Sequence, residues 1–229
     1  MSIKMKGDDI GYISIRFLLL GDSRIGKTSI LERYVNRIFQ ENYLVTIGMD
    51  IRIKRLKINN INLDVCISDT AGEERFRSLS KMLYKSADGI LIGFALNDRE
   101  SLESVNYWIE QIEEKRIKNN KLEMCSVLFG NKCDDKEHIE VNNEEIEKIK
   151  SNYTIEYFET SAKENINVQE LFEYLIKITI IKKGLLKHFN LQENTSIDDI
   201  IIVEREKEDE ITKNDNKNRK NTKKKKLFC

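Results

Sequence analysis

Apolar and polar residues fall along this 229-residue chain in two alternating rhythms. Ile13 to Leu20 is apolar on nearly every residue and reads as a central strand, because a strand covered on both faces needs no polar side. Lys27 to Asn36 changes to helical spacing, with Ile30, Leu31, Tyr34 and Val35 recurring on one side. Ile38 to Ile47 keeps no period and reads as a surface loop. Met49 to Ile58 and Ile61 to Ile67 alternate on either side of Asn59-Asn60, the pattern of a hairpin with a tight turn. Ser68 to Glu74 reads as a loop and Phe76 to Ser86 as a weak helix. Gly89 to Ala95 is a buried strand, and Ser101 to Lys118 is a helix with Leu102, Val105, Trp108, Ile109 and Ile112 on one face. Met124 to Phe129 is the next strand, Asn142 to Ser151 a charged helix, Ile155 to Phe158 a short strand, and Val168 to about His188 the last helix. Strands alternating with helices predict an α/β fold: a mainly parallel six-stranded sheet with one antiparallel edge strand and helices on both faces. Ligands of such sheets sit at the carboxyl ends of the strands, so the loops after those ends carry the chemistry.

Composition sets the boundaries of this domain. Polar residues 1–11 read as a flexible N-terminus and residues 12–190 as the domain. Beyond residue 190 periodicity fails, and residues 191–229 read as a disordered tether, with Ile200 to Val203 as a docking patch within it. The formal charge is zero overall, yet Gln192 to Thr212 holds eight acidic and two basic residues, a net of −6, and Lys213 to Cys229 eight basic and one acidic, a net of +7. Such blocks mark an interaction segment, and the balanced remainder gives no sign of a nucleic-acid partner. Cys66, Cys125, Cys133 and Cys229 lack paired spacing, which reads as reduced thiols rather than zinc ligands or disulfides. The most apolar stretch, Leu171 to Leu186, is interrupted by Glu173, Lys177, Lys182 and Lys183, too charged to span a bilayer. The protein is therefore expected in the cytoplasm and, if it meets a membrane, anchored there rather than inserted.

The first candidate site is Gly21-Asp22-Ser23-Arg24-Ile25-Gly26-Lys27-Thr28, followed by Ser29, between the first strand and the first helix. Its G-x-x-x-x-G-K-[ST] spacing turns backbone N–H groups onto phosphate oxygens, and the helix N-terminus adds positive potential. Lys27 supplies a charge for the β/γ-phosphates, and the Thr28 hydroxyl a ligand for Mg²⁺ bridging them. A second loop, Asn131-Lys132-Cys133-Asp134, bears on the base. An ionised carboxylate accepts hydrogen bonds and donates none, so Asp134 suits the N1–H and 2-amino donors that guanine has and adenine lacks.

GDSRIGKT, Thr46 in TIGMD, DTAGEE at Asp69 to Glu74, NKCD, and TSAK at Thr160 to Lys163 follow one another at strand ends, and together they resemble a Ras-superfamily small GTPase of the Rab branch over about residues 12 to 185. The resemblance implies GTP and GDP as ligands and Mg²⁺ held by Thr28, Thr46 and Asp69. It places Asn131 as a brace, the Lys132 stem across the base, Ser161, Ala162 and Lys163 beside it with the Ala162 N–H at the guanine O6, and Phe39 packed edge-on, with Tyr43 in the same loop. It also implies that the γ-phosphate holds Thr46 and the Gly72 N–H, and that hydrolysis releases both loops. Exchange factors, GTPase-activating proteins and effectors would then read residues 38–50 and 70–86, in the service of vesicle or organelle membrane traffic.

The chain departs from that pattern in places. Glu73 stands where the family usually has the glutamine that orients the attacking water, so the catalytic set Lys27, Gly72 and Glu73 predicts slow hydrolysis, or a GTP-binding scaffold that turns over little. Arg24 either faces solvent or serves as a cis arginine at the phosphates. Ser68 replaces a tryptophan. Cys229 is terminal, which excludes a C-a-a-X box. The family instead prenylates cysteines at the extreme C-terminus, and one lipid together with Lys223 to Lys226 makes a two-part anchor. A P-loop ATPase or kinase remains as a rival reading that would leave Asp134 idle.

Overall fold

The structure is a computed structural model that describes residues 12–41, 49–70, 86–118 and 125–204. Its elements are β1 (Tyr12–Leu20), α1 (Lys27–Asn36), β2 (Met49–Ile58), β3 (Ile61–Thr70), β4 (Gly89–Ala95), α2 (Arg99–Lys118), β5 (Cys125–Asn131), α3 (Asn143–Tyr153), β6 (Glu156–Glu159), α4 (Val168–Lys182) and β7 (Val203–Glu204). The strands form one sheet in the order β6-β5-β4-β1-β3-β2-β7. β1 pairs in parallel with β3 and β4, and β4-β5-β6 continue in parallel. β2 runs antiparallel to β3. Near-continuous apolar runs become central strands because alternate residues enter opposite layers. Ile15, Phe17 and Leu19 of β1 join α1 and α4 in one core, whereas Leu18 and Leu20 join α2 and α3 in the other.

The hairpin turn carries the signature of its sequence. Asn59 and Asn60 both adopt positive φ, 47° and 65°, the backbone of a type I′ turn, which asparagine tolerates better than most residues. α3 starts where Asn142 accepts from the Glu145 N–H at 3.0 Å while the Glu145 carboxylate accepts from the Asn142 N–H at 3.1 Å, a complete capping box.

Two expectations change. The last helix stops at Lys182 rather than near His188, because Gly184 takes φ 62° and a Schellman pair closes the end: Leu185 N–H to Ile180 O at 2.9 Å and Gly184 N–H to Ile181 O at 3.0 Å. The sheet has seven strands rather than six, because residues 191–204 remain packed on the domain. Ile200 is 1% exposed, Leu191, Ile197 and Ile202 rest on the α1/α4 core, and β7 pairs antiparallel with β2. Ile200 and Ile202 of the expected docking patch thus dock on their own chain, while Ile201 and Val203 stay exposed. The expected helix at Phe76 to Ser86 lies outside the described residues save for Ser86, and the N-terminus 1–11 and the tail beyond Glu204 lie wholly outside them.

Candidate functional site

The motif loops after β1, β5 and β6 gather with Asp69 at the end of β3 on the carboxyl side of the sheet, because these four strands run parallel. Residues 21 to 26 leave β1 as a tight loop. Gly26 has φ 96°, and a Cβ on it would collide with the Asn131 side-chain nitrogen. Glycine is needed there for both its backbone and its lack of a side chain. Gly21 meets the same double constraint against the Gly93 carbonyl at φ 135°.

Lys27 opens α1 and is only 6% exposed. Its ammonium folds over the loop, donating to Gly21 O at 2.9 Å and Asp22 O at 2.6 Å. Burial pulls its pKa down to about 8, against the raising influence of Asp69 and Asp22. Thr28 Oγ1 donates to Asp69 Oδ2 at 2.5 Å. Asp69 is fully buried, and its Oδ1 has no hydrogen-bond partner among the described residues. Burial raises the Asp69 pKa, with Asp50 adding to it, while the Thr28 hydroxyl, Lys27 and Arg52 pull the other way. A buried carboxylate oxygen without a donor, beside a threonine hydroxyl and below a phosphate loop, is the oxygen donor set a hard divalent cation takes, so the residues present fit Mg²⁺.

The second loop is fastened to the first. Asn131 is buried and donates from Nδ2 to Ile25 O at 2.8 Å, while its Oδ1 accepts from the Ala162 N–H at 3.2 Å. One side chain thereby joins the phosphate loop, the NKCD loop and the TSAK loop. The Ala162 N–H, expected at the base O6, is spent on Asn131 in this structure. Asp134 Oδ1 accepts from Ser161 Oγ at 2.5 Å, so one carboxylate oxygen is fixed. Lys132 has φ 67°, a left-handed kink in the loop.

A family model described as the Ras family matches residues 16–181 of this chain. Ras-related protein Rab-13 of Rattus norvegicus is 33% identical over 183 residues, covering 80% of this chain and 88% of its own length. Rab-13 of Bos taurus is 34% identical over 184 residues, covering 80% and 89%. Ras-related protein Rab-8A of Rattus norvegicus is 33% identical over 192 residues, covering 84% and 91%. The chain is a Rab-type small GTPase of the Ras family.

Two features of this small GTPase's site escaped sequence reading. Arg33 of α1 donates to Ala162 O and Lys163 O, each at 2.8 Å, and lies 5.8 Å from the Phe39 ring centroid, so it staples α1 to the TSAK loop and supports Phe39. The Trp108 indole of α2 donates to Asp22 Oδ1 at 3.0 Å, bracing the phosphate loop from the other layer. Neither could be read from local pattern, because an exposed-looking arginine and a core-like tryptophan give no sign of a partner on another loop. Arg24 has φ 64° and is exposed, with no hydrogen bond among the described residues. Ser23 is likewise exposed, Ile25 fully buried, and Ser29 half-buried. Tyr43, Thr46, Gly72, Glu73 and Cys229 lie outside the described residues.

Proposed function

We propose that this protein is a GTP/GDP switch of vesicle or organelle membrane traffic, hydrolysing GTP slowly to GDP and phosphate. The observation that carries the guanine reading is Asn131, whose side chain joins the phosphate loop at Ile25 to the TSAK loop at Ala162, with Asp134 held by Ser161 beside it. That framework holds the phosphate anchor and the base reader at a fixed separation, which a nucleotide of one size fills. Asp134 accepts from the N1–H and the 2-amino group of guanine. Lys132 and Phe39 bracket the base, and the backbone N–H groups of residues 22–28 with the Lys27 ammonium bind the phosphates. Thr28 and Asp69, with Thr46, would hold Mg²⁺, which would supply positive charge to offset that of the phosphates. Gly72 and Thr46 respond to the γ-phosphate, and residues 38–50 and 70–86 present that response to exchange factors, GTPase-activating proteins and effectors.

The reading excludes adenine on chemistry that a competition assay tests. GTP displaces a bound fluorescent GDP analogue, ATP fails to, and ITP, which lacks the 2-amino group, binds about 10- to 100-fold more weakly than GTP because one bond to Asp134 is lost. Equal competition by ATP would return the protein to the wider P-loop class.

Glu73 decides how active the switch is. Water attacks the γ-phosphorus and the bond to the β-phosphate oxygen breaks, and an ionised carboxylate in place of the usual amide cannot donate a hydrogen bond to the phosphate as it aligns that water. Single-turnover hydrolysis is therefore expected to be slow and to accelerate at least about tenfold in Glu73→Gln. A native rate equal to or above that of the variant removes the carboxylate argument. The tail completes the reading: Cys229 prenylation and Lys223 to Lys226 attach the protein to the cytosolic face of an endomembrane, and no helix among the described residues is long and apolar enough to cross one.

A further inference from the structure

The chain between α4 and residue 204 has no part in the site described above and ends on the edge of β2, beside the last residue of α1. After the Schellman turn at Gly184, Phe189 is fully buried, and its carbonyl accepts from Asn59 Nδ2 at 3.1 Å in the β2–β3 turn. The strap then crosses the α1/α4 core through Ile197, Ile200 and Ile202 and finishes as β7, with Val203 opposite Lys57 and Glu204 opposite Leu56 on the edge of β2. There the Glu204 carboxylate makes two ion pairs, with Lys54 at 2.7 Å and with Arg37 at 3.1 Å. Burial tends to raise the Glu204 pKa, and the contacts with Lys54 and Arg37 outweigh it, leaving the group below the usual carboxylate range.

The positions of those two cations give the contact its meaning. Arg37 is the C-cap of α1, the last residue before the loop that carries Phe39, Tyr43 and Thr46, and Lys54 lies on β2, the element into which that loop leads. Lys54 is almost wholly buried, and its ammonium also donates to the α1 carbonyls of Tyr34 at 3.1 Å and Val35 at 3.5 Å, over the Tyr34 ring. α1 in turn begins at Lys27 and Thr28. A single carboxylate from beyond α4 therefore ties the C-terminal end of α1 to the middle of β2, and α1 runs from that tie to the phosphate loop as one rigid element of about 15 Å.

We infer that residues 185–204 form a cis-acting clasp on α1 and β2, slowing the loss of guanine nucleotide while they are docked. The inference rests on the guanine reading of the site and names a regulation of it. The alternative is an ion pair without consequence, since exposed pairs often contribute little. The Glu32–Arg52 pair at 2.9 Å also ties α1 to β2 and limits the size of the effect.

The test is release of a fluorescent GDP analogue from the full chain, compared with Glu204→Gln and with a version in which Val203→Cys and Lys57→Cys are oxidised to lock β7 onto β2. Release about three- to tenfold faster in Glu204→Gln is expected, with the native rate restored when the lock is added to that variant. An unchanged rate in Glu204→Gln overturns the clasp, and so does acceleration that the lock fails to reverse. Absence of any guanine-nucleotide binding would instead defeat the reading of the site. The clasp is then measured by amide exchange over residues 37–57: faster exchange in Glu204→Gln upholds it, and equal exchange overturns it.

Discussion

Lys27 shows how a single residue can be held ready for an anion. Its ammonium is buried over two carbonyls, and its pKa falls to about 8 because burial outweighs the favourable pull of Asp69 and Asp22. The folded protein consequently binds fewer protons than the unfolded chain between about 8 and the ordinary lysine value of 10.5, so this residue makes stability rise with pH across that window. Phosphates at the site restore the charged form. Nucleotide binding at pH 8 should therefore take up about half a proton at Lys27, measured by calorimetry in buffers of different ionisation enthalpy. Lys27→Arg would remove the uptake, because a guanidinium stays charged throughout. Asp69 titrates in the opposite sense. Its raised pKa is the cost of a buried carboxylate with one oxygen unpartnered among the described residues, and a divalent cation offsets that cost.

At the scale of elements, the ends of helices and strands determine where the site residues stand. α3 begins at a capping box built from Asn142 and Glu145, both readable as start signals for a helix. Asn142→Ala removes one of those bonds and should cost about 1 kcal/mol, seen as a lower denaturation midpoint with the denaturant slope unchanged. The start of α1 is set differently: its N-cap, Gly26, makes no side-chain cap, so the first N–H groups of the helix are not capped by it. The periodicity of α1, β4 and the β2–β3 hairpin was legible because each pattern is local, and β4 and α1 occupy the residues the spacing predicts. The end of α4 was legible too in principle, since a glycine follows Lys183. The apolar run Leu185-Leu186 masked it by continuing the helical rhythm past the stop.

For the whole molecule, the strap changes the extent of the folded unit. Leu185, Leu186, Phe189 and Ile200 are buried against α1, α4 and the β2–β3 hairpin, whereas composition placed the end of the domain at residue 190. Polar composition suggested a tether because charged and amide residues dominate from 192 onward, but Leu191 and three isoleucines, Ile197, Ile200 and Ile202, suffice to hold such a segment once a complementary surface exists. A chain ending at residue 190 should be less stable than one ending at residue 204 by about 2 kcal/mol or more, the burial of Ile200 alone. Thermal denaturation would show a melting temperature lower by about 4–8 °C. Equal melting temperatures would mean that the strap adds no stability.

What the sequence determined by itself follows from short range. Hydrophobic period distinguishes strand from helix, and residue identity at fixed spacing assigns Gly21 to Thr28, Asn131 to Asp134 and Thr160 to Lys163 to the ends of strands, because the chemistry of each motif lies within a single loop. Tertiary structure decided the contacts that join those loops. Arg33 meets Ala162 across 129 residues, Trp108 meets Asp22 across 86, and Glu204 meets Arg37 across 167. Each is an ordinary polar side chain whose partner is fixed only when distant strands fall into register, so no local pattern carries it.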